Sequence, residues 1–147
     1  MNDNAILICY DGSDGADRAI DAAAELFGSR HAIVLDVGPP ITGAESVASF
    51  SIVPGAVFED MNAAEALDRA TIGAERARKV GFTADARSDI AAPTWEGIVD
   101  VADEIDSAVI VLGSRGLNGA RERFEGSVSH QVAEHAHRPV LIVPPAA

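Results

Sequence analysis

Short apolar runs recur along the chain, and the intervals between them are long enough for helices. The first run, residues 5–10, is continuously apolar and ends at Asp11 and Gly12, which is typical of a strand buried on both faces. The run at 82–88 is weaker, because it alternates apolar and polar residues. The pattern predicts five strands, at residues 5–10, 31–37, 82–88, 107–113 and 138–145.

The segments between the strands carry apolar residues at helical spacing and have helix boundary signals. Gly28 and Gly81 follow the last periodic residues of two segments, as glycines at helix ends do. Pro93 and Ser127 stand at the starts of two others. The pattern predicts four helices, over residues 14–27, 59–80, 95–106 and 127–136.

Apolar side chains at helical spacing also define the buried faces that we expect for three of these helices. The expected buried faces are Ala19, Ala23, Leu26 and Phe27; Met61, Ala64, Leu67, Ile72 and Ala74; and Trp95, Ile98, Val99 and Ala102.

Residues 38–58 are different, because they hold three prolines and three glycines and show no clear period. We predict a long connection there, either a lid that orders over a ligand or a permanently mobile loop.

Strands that alternate with helices indicate one fold class. Apolar strands separated by helices favour a parallel sheet that is covered on both faces. We therefore predict an α/β fold with a doubly wound, five-stranded, mainly parallel sheet and helices on both faces, a Rossmann-like arrangement. At 147 residues and 48% hydrophobic content, the chain is predicted to form a single domain over residues 1–147.

The charge of the chain is strongly acidic and unevenly distributed. The 23 acidic and 11 basic residues give a formal net charge of −12, which disfavours binding to nucleic acid and to anionic membranes. Residues 113–147 are the exception, with four basic and three acidic side chains. Cys9 is the only cysteine, and no apolar run has the length of a signal peptide or a membrane span. These features favour a cytoplasmic protein.

Glycines and serines follow the predicted fourth strand at a regular spacing. The spacing is Gly113-x-x-Gly116, then nine residues, then Gly126-Ser127 at the predicted start of a helix. Glycine lets the backbone approach an anion closely, and a helix N-terminus offers free N–H groups. The stretch therefore predicts a phosphate cradle, to which Arg115, Arg121 and Arg123 add positive charge. The alternative is structural: a tight turn, an ordinary helix cap and solvated arginines.

This spacing, together with "DGS" after the first strand, "VLGSRG" leading into the spacing and "VLIVPP" near the end, resembles the ATP-binding branch of the universal stress protein family. The resemblance covers essentially the whole chain. It implies an ATP-binding and usually homodimeric domain. The implied contacts are Asp11 near the adenosine, with Tyr10 immediately before it, Val37 beside the adenine, and Gly113, Arg115, Gly116, Gly126, Ser127, Val128 and Ser129 around the ribose and phosphates.

From the residues and the resemblance together, we predict a nucleotide-gated regulatory module for the stress response. It would bind ATP with Mg²⁺ or Mn²⁺ and hydrolyse it slowly, if at all, because there is no Gly-Lys-Ser/Thr of a P-loop. We also predict a homodimer through the last strand, residues 139–144, and a regulatory partner of unknown identity. The alternative is a dimeric scaffold of the same fold that binds no ATP or a different small anion.

Two other groups of side chains are of types that bind metals or undergo redox chemistry. His130, His135 and His137 cluster near the last helix, but we interpret them as partly exposed helix-end residues rather than metal ligands. Cys9 lies in an apolar strand and is expected to be a small buried side chain without redox chemistry. Trp95 is interpreted as a packing residue.

Overall fold

The computed structural model describes residues 4–39, 55–114 and 127–146, and for residues 55–61 it describes the backbone alone. Strands and helices alternate along these residues. The strands are β1 Ile6–Cys9, β2 His31–Gly38, β3 Thr83–Ile90, β4 Ile110–Gly113 and β5 Val140–Val143. The helices are α1 Asp14–Phe27, α2 Gly55–Lys79, α3 Thr94–Glu104 and α4 Val128–His135.

The five strands form one sheet in which all neighbouring strands are parallel. Their order is β3-β2-β1-β4-β5, so β1 lies between β2 and β4, and the chain reverses its direction of winding at β1. The register places Ile8 beside Val34 on one side and beside Val111 on the other. The predicted doubly wound α/β fold is confirmed, with every described pairing parallel.

Apolar side chains cover both faces of the sheet. In β1, Ile6 and Ile8 join a buried cluster with residues of α1 and α2, whereas Leu7 joins a second cluster with residues of α3 and α4. Because successive side chains of a strand point to opposite faces, β1 supplies both clusters. All three of these side chains are fully buried, which explains the continuous apolar run in the sequence.

Helix α1 has the predicted boundaries, but one residue of its expected buried face is exposed. The Ser13 hydroxyl caps its first turn by accepting a hydrogen bond from the Ala16 N–H, and Gly28 ends it with a positive φ of 68°. Ala19 and Ala23 are buried as expected. Leu26 is 64% exposed, so the prediction was wrong there.

Helix α2 is longer than predicted and buries a different face. It begins at Gly55 rather than at residue 59. Leu67 and Ile72 are exposed, as is Ala64, so these parts of the prediction were wrong, whereas Ala74 is buried as expected. The side chain of Met61 lies outside the described residues. The buried row consists of small residues: Ala66, Ala70, Ala74 and Ala77.

The connection predicted at 38–58 is shorter at both ends in the structure. Strand β2 includes Gly38, where the prediction ended at residue 37, and α2 takes in residues 55–58. A side chain on Gly38 would meet Ile90 at 3.0 Å, which explains a glycine inside this strand. Residues 40–54 lie outside the described part, so the lid and the mobile loop both stay predictions.

The remaining elements agree with the predictions to within a few residues. In α3, Ile98, Val99 and Ala102 are buried, and Trp95 is partly buried against the second cluster. Strand β4 begins at Ile110, three residues after the predicted start. Within the described residues, no helix has the length and apolar character that crossing a membrane requires.

Candidate functional site

The carboxyl ends of β1 and β4 meet where the strand order reverses. Ligands of doubly wound sheets bind in the crevice at such a point. Gly113, the last residue of β4, lies against the first turn of α1: a Cβ atom at Gly113 would stand 2.9 Å from the Gly15 carbonyl oxygen. Only glycine fits there without moving backbone. The contact brings the turn after β1 and the exit from β4 together at one place.

The turn after β1 is held by a hydrogen bond between two of its own residues. The Asp11 carboxylate accepts a hydrogen bond from the Ser13 N–H at 3.0 Å. Gly12 has a φ of +83°, a conformation that favours glycine, so the turn requires a glycine there. The Asp-Gly-Ser order therefore fixes a compact turn that leaves Asp11 at the end of β1, partly exposed.

Tyr10 occupies the core below this turn. Its ring is 6% exposed, and its hydroxyl donates a hydrogen bond to the Asp17 carboxylate at 2.8 Å. A Cβ atom at Gly73 of α2 would stand 2.7 Å from the Tyr10 ring, so the helix lies directly on it. Burial is the largest cause and the hydrogen bond to Asp17 the second, and together they raise the pKa of Tyr10 to about 12. Its side chain is thus engaged within the protein, and its place in a ligand site stays a prediction.

Two side chains at the end of β2 point to opposite faces of the sheet. Val37 lies on the α3 side, where its Cγ1 is 3.1 Å from the position of a Cβ atom on Gly97. Asp36 lies on the α2 side and is 4% exposed. The Arg69 Nε of α2 donates a hydrogen bond to the Asp36 Oδ2 at 2.5 Å. Burial raises the pKa of Asp36, and the bonded Arg69 opposes that shift.

The start of α4 is the other described part of the site. Ser127, at the predicted helix start, caps the helix by accepting a hydrogen bond from the His130 N–H at 3.3 Å. Ser129 is buried, and Val128 packs against the second cluster. A capped helix N-terminus directs its free N–H groups outward, an arrangement that suits an anion. The other predicted phosphate-site residues, Arg115, Gly116 and Gly126, lie outside the described residues, as do Arg121 and Arg123.

The Cys9 thiol lies near the same strand ends but is poorly suited to react. It packs against the second cluster, and burial raises its pKa from 9.0 to about 12, with Asp11 and Asp36 adding to the shift. Because the thiolate is the reactive form, a raised pKa suppresses nucleophilic and redox chemistry. The side chain is partly rather than fully buried.

The histidines near α4 have separate partners. His130 Nε2 is 3.2 Å from Glu134, one turn further along the helix. The ring of His135 stacks on Trp95, with ring centroids 4.2 Å apart, and His137 faces Asp103. No group of three metal-ligating side chains occurs within residues 4–39, 62–114 and 127–146.

Sequence reasoning missed the ion pair at the end of β2. Asp36 had one local signal, since it is the only charged residue between Ala32 and Val37 of an otherwise apolar strand. Arg69 had none, because it is 33 residues away in the chain and one of several charged residues on α2. The stacking of Trp95 on His135 was also missed.

Comparisons with known proteins give one consistent result. The family model described as "Universal stress protein family" matches residues 4–144. Universal stress protein YxiE of Bacillus subtilis is 33% identical over 146 residues, which cover 95% of this chain and 98% of the relative.

Two solved structures show the same fold. That of the protein MJ0577 has a TM-score of 0.78 at 23% identity and covers 98% of this chain and 97% of its own. A universal stress protein in complex with cAMP has a TM-score of 0.66 at 25% identity, with 96% of each chain covered. Both similarities extend over nearly the full length of the described sheet and helices.

Proposed function

This chain belongs to the universal stress protein family, and from that premise we propose that it binds ATP as a regulatory module. The observation that carries the proposal is the contact of Gly113 with Gly15, which joins the turn after β1 to the exit from β4. A crevice of this kind suits a nucleotide. A similar structure, 25% identical, holds cAMP, which supports an adenine nucleotide as the ligand class.

Each part of the proposed site has a role that follows from its chemistry. The Asp11 carboxylate would accept hydrogen bonds from ribose hydroxyls, and Val37 would border the adenine with Tyr10 behind the turn. Ser127, Val128 and Ser129 begin α4, whose N–H groups suit phosphate oxygens. We propose that Mg²⁺ or Mn²⁺ arrives with the nucleotide, because Mg²⁺ keeps several waters and takes substrate phosphates as ligands.

The glycine-rich stretch completes the proposed phosphate site. Gly113, Gly116 and Gly126 would let the backbone approach the phosphates, and Arg115 would add positive charge. Isothermal titration calorimetry with MgATP tests this through Gly126→Val. We expect at least a tenfold weaker affinity with unchanged circular dichroism, since a valine side chain would occupy the space of a phosphate.

Gly119→Val is the matched control, because Gly119 lies in the same stretch but outside the predicted spacing. We expect it to bind MgATP like the wild type. Equal affinities of a folded Gly126→Val variant and the wild type would place the phosphates elsewhere. Mass spectrometry of small molecules released from the denatured protein would identify the ligand that is bound in cells.

We propose that the bound nucleotide acts as a switch because its turnover is slow. Rapid phosphoryl transfer needs a group that orients the attacking water. His130 is the candidate on α4 for orienting that water. Its Nε2 lies 3.2 Å from the Glu134 carboxylate, so this nitrogen already faces a side chain of its own helix. Single-turnover assays with labelled ATP test the proposal. A rate near 10 per second, about the median for enzymes, would contradict a switch and make the protein an enzyme.

The edge strand β5 supports a second proposal, homodimerisation through residues 139–144. β5 pairs with β4 alone in the described sheet, so its other edge carries backbone groups that a second copy can pair with. Ile142 is 37% exposed on this strand. Light scattering at micromolar concentration should give twice the chain mass. A dimer that binds no nucleotide in calorimetry would favour the scaffold function instead.

A further inference from the structure

The guanidinium of Arg138 ties the start of β5 to the turn that precedes β4. Its side chain is only 12% exposed. The Nη1 atom donates hydrogen bonds to the Ser107 carbonyl at 2.6 Å and to the Asp106 carboxylate at 3.4 Å. The Nη2 atom donates one to the Asp103 carboxylate at 2.8 Å. One largely buried cation therefore binds three acceptors, which all come from the last turn of α3 and the turn that follows it.

The acceptors of Arg138 are themselves held in place. The Ser107 N–H donates a hydrogen bond to the Ala102 carbonyl at 3.0 Å, and Ser107 is 2% exposed. Asp106 has a φ of +47°, and its carbonyl and its carboxylate accept hydrogen bonds from the Asn4 side chain at 2.6 and 2.8 Å. Because this turn is fixed by its own contacts, the position of Arg138 fixes where β5 begins.

Strand β5 is short and lies at an edge of the sheet. It has four residues and pairs with β4 alone in the described sheet. The carbonyls of Pro139 and Val143 accept hydrogen bonds from residues in and just after β4, each at 3.0 Å. Since alternate residues of a strand direct their backbone groups to the same side, those of Val140 and Ile142 point to the outer edge. These are the groups with which a second copy can pair.

The packing of β5 depends on the same register. Leu141 and Val143 pack against the cluster that includes residues of α1, whereas Val140 packs against the cluster on the other face. A shift of β5 by one residue would exchange the two faces. It would also turn the backbone groups of Val140 and Ile142 toward β4, and so away from a partner.

We propose that Arg138 is a positioning residue for homodimerisation: it fixes the register of β5, so that Val140 and Ile142 present their backbone groups to a second copy. The inference rests on the proposed homodimer. Arg138 acts through the strand that follows it, and contact with the partner is not required. Because a twofold axis uses the same strand of both copies, a displaced β5 weakens both sides of the interface.

Sedimentation velocity over a range of concentrations tests the proposal on the full chain. We expect Arg138→Met to raise the Kd of the dimer at least tenfold, because a methionine donates no hydrogen bond to the three acceptors. Arg138→Lys keeps a positive charge beside the two carboxylates, so it should fold even if Arg138→Met does not. Since an ammonium cannot reproduce the fork of a guanidinium, its Kd should still exceed that of the wild type.

Arg30→Met is the matched control. Arg30 also stands just before a strand, and its guanidinium donates a hydrogen bond to a backbone carbonyl, that of Asn4, at 2.6 Å. The strand that follows it, β2, is an interior strand with a neighbour on each side. We therefore expect Arg30→Met to change the stability of the protein but to leave the Kd of the dimer within twofold of the wild type.

Hydrogen exchange of the backbone separates positioning from a general loss of stability. It is measured below the Kd of the dimer, so that wild type and variant are both monomers. In Arg138→Met, we expect exchange in β5 to become at least tenfold faster while β1 and β2 keep their wild-type rates. A general loss of stability would instead speed exchange in all strands.

The outcomes separate this inference from the proposed homodimer. A wild-type Kd in the folded variants of Arg138 would overturn the positioning role alone. An equal rise of Kd in Arg30→Met, or faster exchange in every strand of Arg138→Met, would overturn it too, because the effect would not be specific to β5. A wild-type protein that stays monomeric would overturn the proposed homodimer, and this inference with it.

Discussion

Replacing Gly113 by alanine should destabilise the protein and weaken its proposed site together. The new Cβ would stand 2.9 Å from the carbonyl oxygen of Gly15 and 3.0 Å from its carbonyl carbon. Ordinary contact begins at 3.4 Å, so the first turn of α1 and the end of β4 must separate by about half an ångström. Both contacting groups are backbone, and no change of side-chain rotamer can relieve the clash.

The cost of such overpacking is about 1–3 kcal/mol. In a chain of this size, each 1 kcal/mol lowers Tm by about 2–4 °C, so we expect a loss of about 2–12 °C in differential scanning calorimetry. The affinity for MgATP should also fall, because this contact joins the turn bearing Asp11 to the exit from β4, the two segments that we propose to contact the nucleotide. Ser114→Ala, at the next residue, adds no atom and serves as the control.

An unchanged Tm of Gly113→Ala would refute the reasoning, because it would mean that α1 does not press on the end of β4. A lowered Tm with unchanged MgATP affinity would refute only the link between this contact and the ligand. We expect Ser114→Ala to stay within about 0.5 kcal/mol of the wild type.

Three further predictions concern other contacts. Gly97→Ala should destabilise the protein, because its Cβ would stand 2.7 Å from that of Ala91 and 3.1 Å from the Val37 Cγ1. Because Ala91→Gly removes the shorter of these two contacts, Gly97→Ala should lower Tm less in the Ala91→Gly background than in the wild type, and an equal loss in both would contradict this cause. Stability in urea should fall as pH rises from 9 toward 12, because the Cys9 thiol keeps its proton in the folded state while the unfolded chain ionises. The stabilising contribution of the protonated thiol is present in full below pH 9. Cys9→Ala should therefore lose part of the pH dependence of the free energy of unfolding. Equal slopes of that free energy against pH in the variant and the wild type would contradict the prediction. His135→Ala should change the emission of Trp95, the sole tryptophan, and an unchanged spectrum would argue against the stack.

The sequence predicted the strands well because burial on both faces leaves a strong apolar signal. Strands β1 and β4 carry continuous runs of Ile, Leu and Val, and both were found with small errors at their ends. Strand β3 gave the weaker signal because it lies at the edge of the sheet, where most of its residues are only partly buried or exposed. Its alternation was still enough to predict a strand.

The buried face of α2 was predicted wrongly for a physical reason. Periodicity analysis ranks residues by hydrophobicity and so selected Leu67 and Ile72, which are exposed. The helix lies close to the sheet, as the contact of Gly73 with the Tyr10 ring shows, and only small side chains fit beneath it. Close approach of this kind depends on the facing strand and cannot be read from the helix alone.

The candidate site was predictable only where its signals are local. The Asp-Gly-Ser turn, the cap at Ser127 and the glycine at the end of β4 each stand in a recognisable short pattern, and the structure places all three at their expected elements. The pairing of Asp36 with Arg69 joins elements that are far apart in sequence, so no local pattern indicates it.

The alanine row of α2 sets the distance between this helix and the sheet, because each of its side chains is a single methyl group. Ala66, Ala70, Ala74 and Ala77 fix the height of the helix above the sheet, and Arg69 reaches Asp36 from that height. A larger residue anywhere in the row would lift or tilt the helix and shift the guanidinium away from its partner. The geometry of the ion pair is therefore encoded partly in side chains that carry no charge, and relatives with a bulkier row should need a different residue at the position of Arg69.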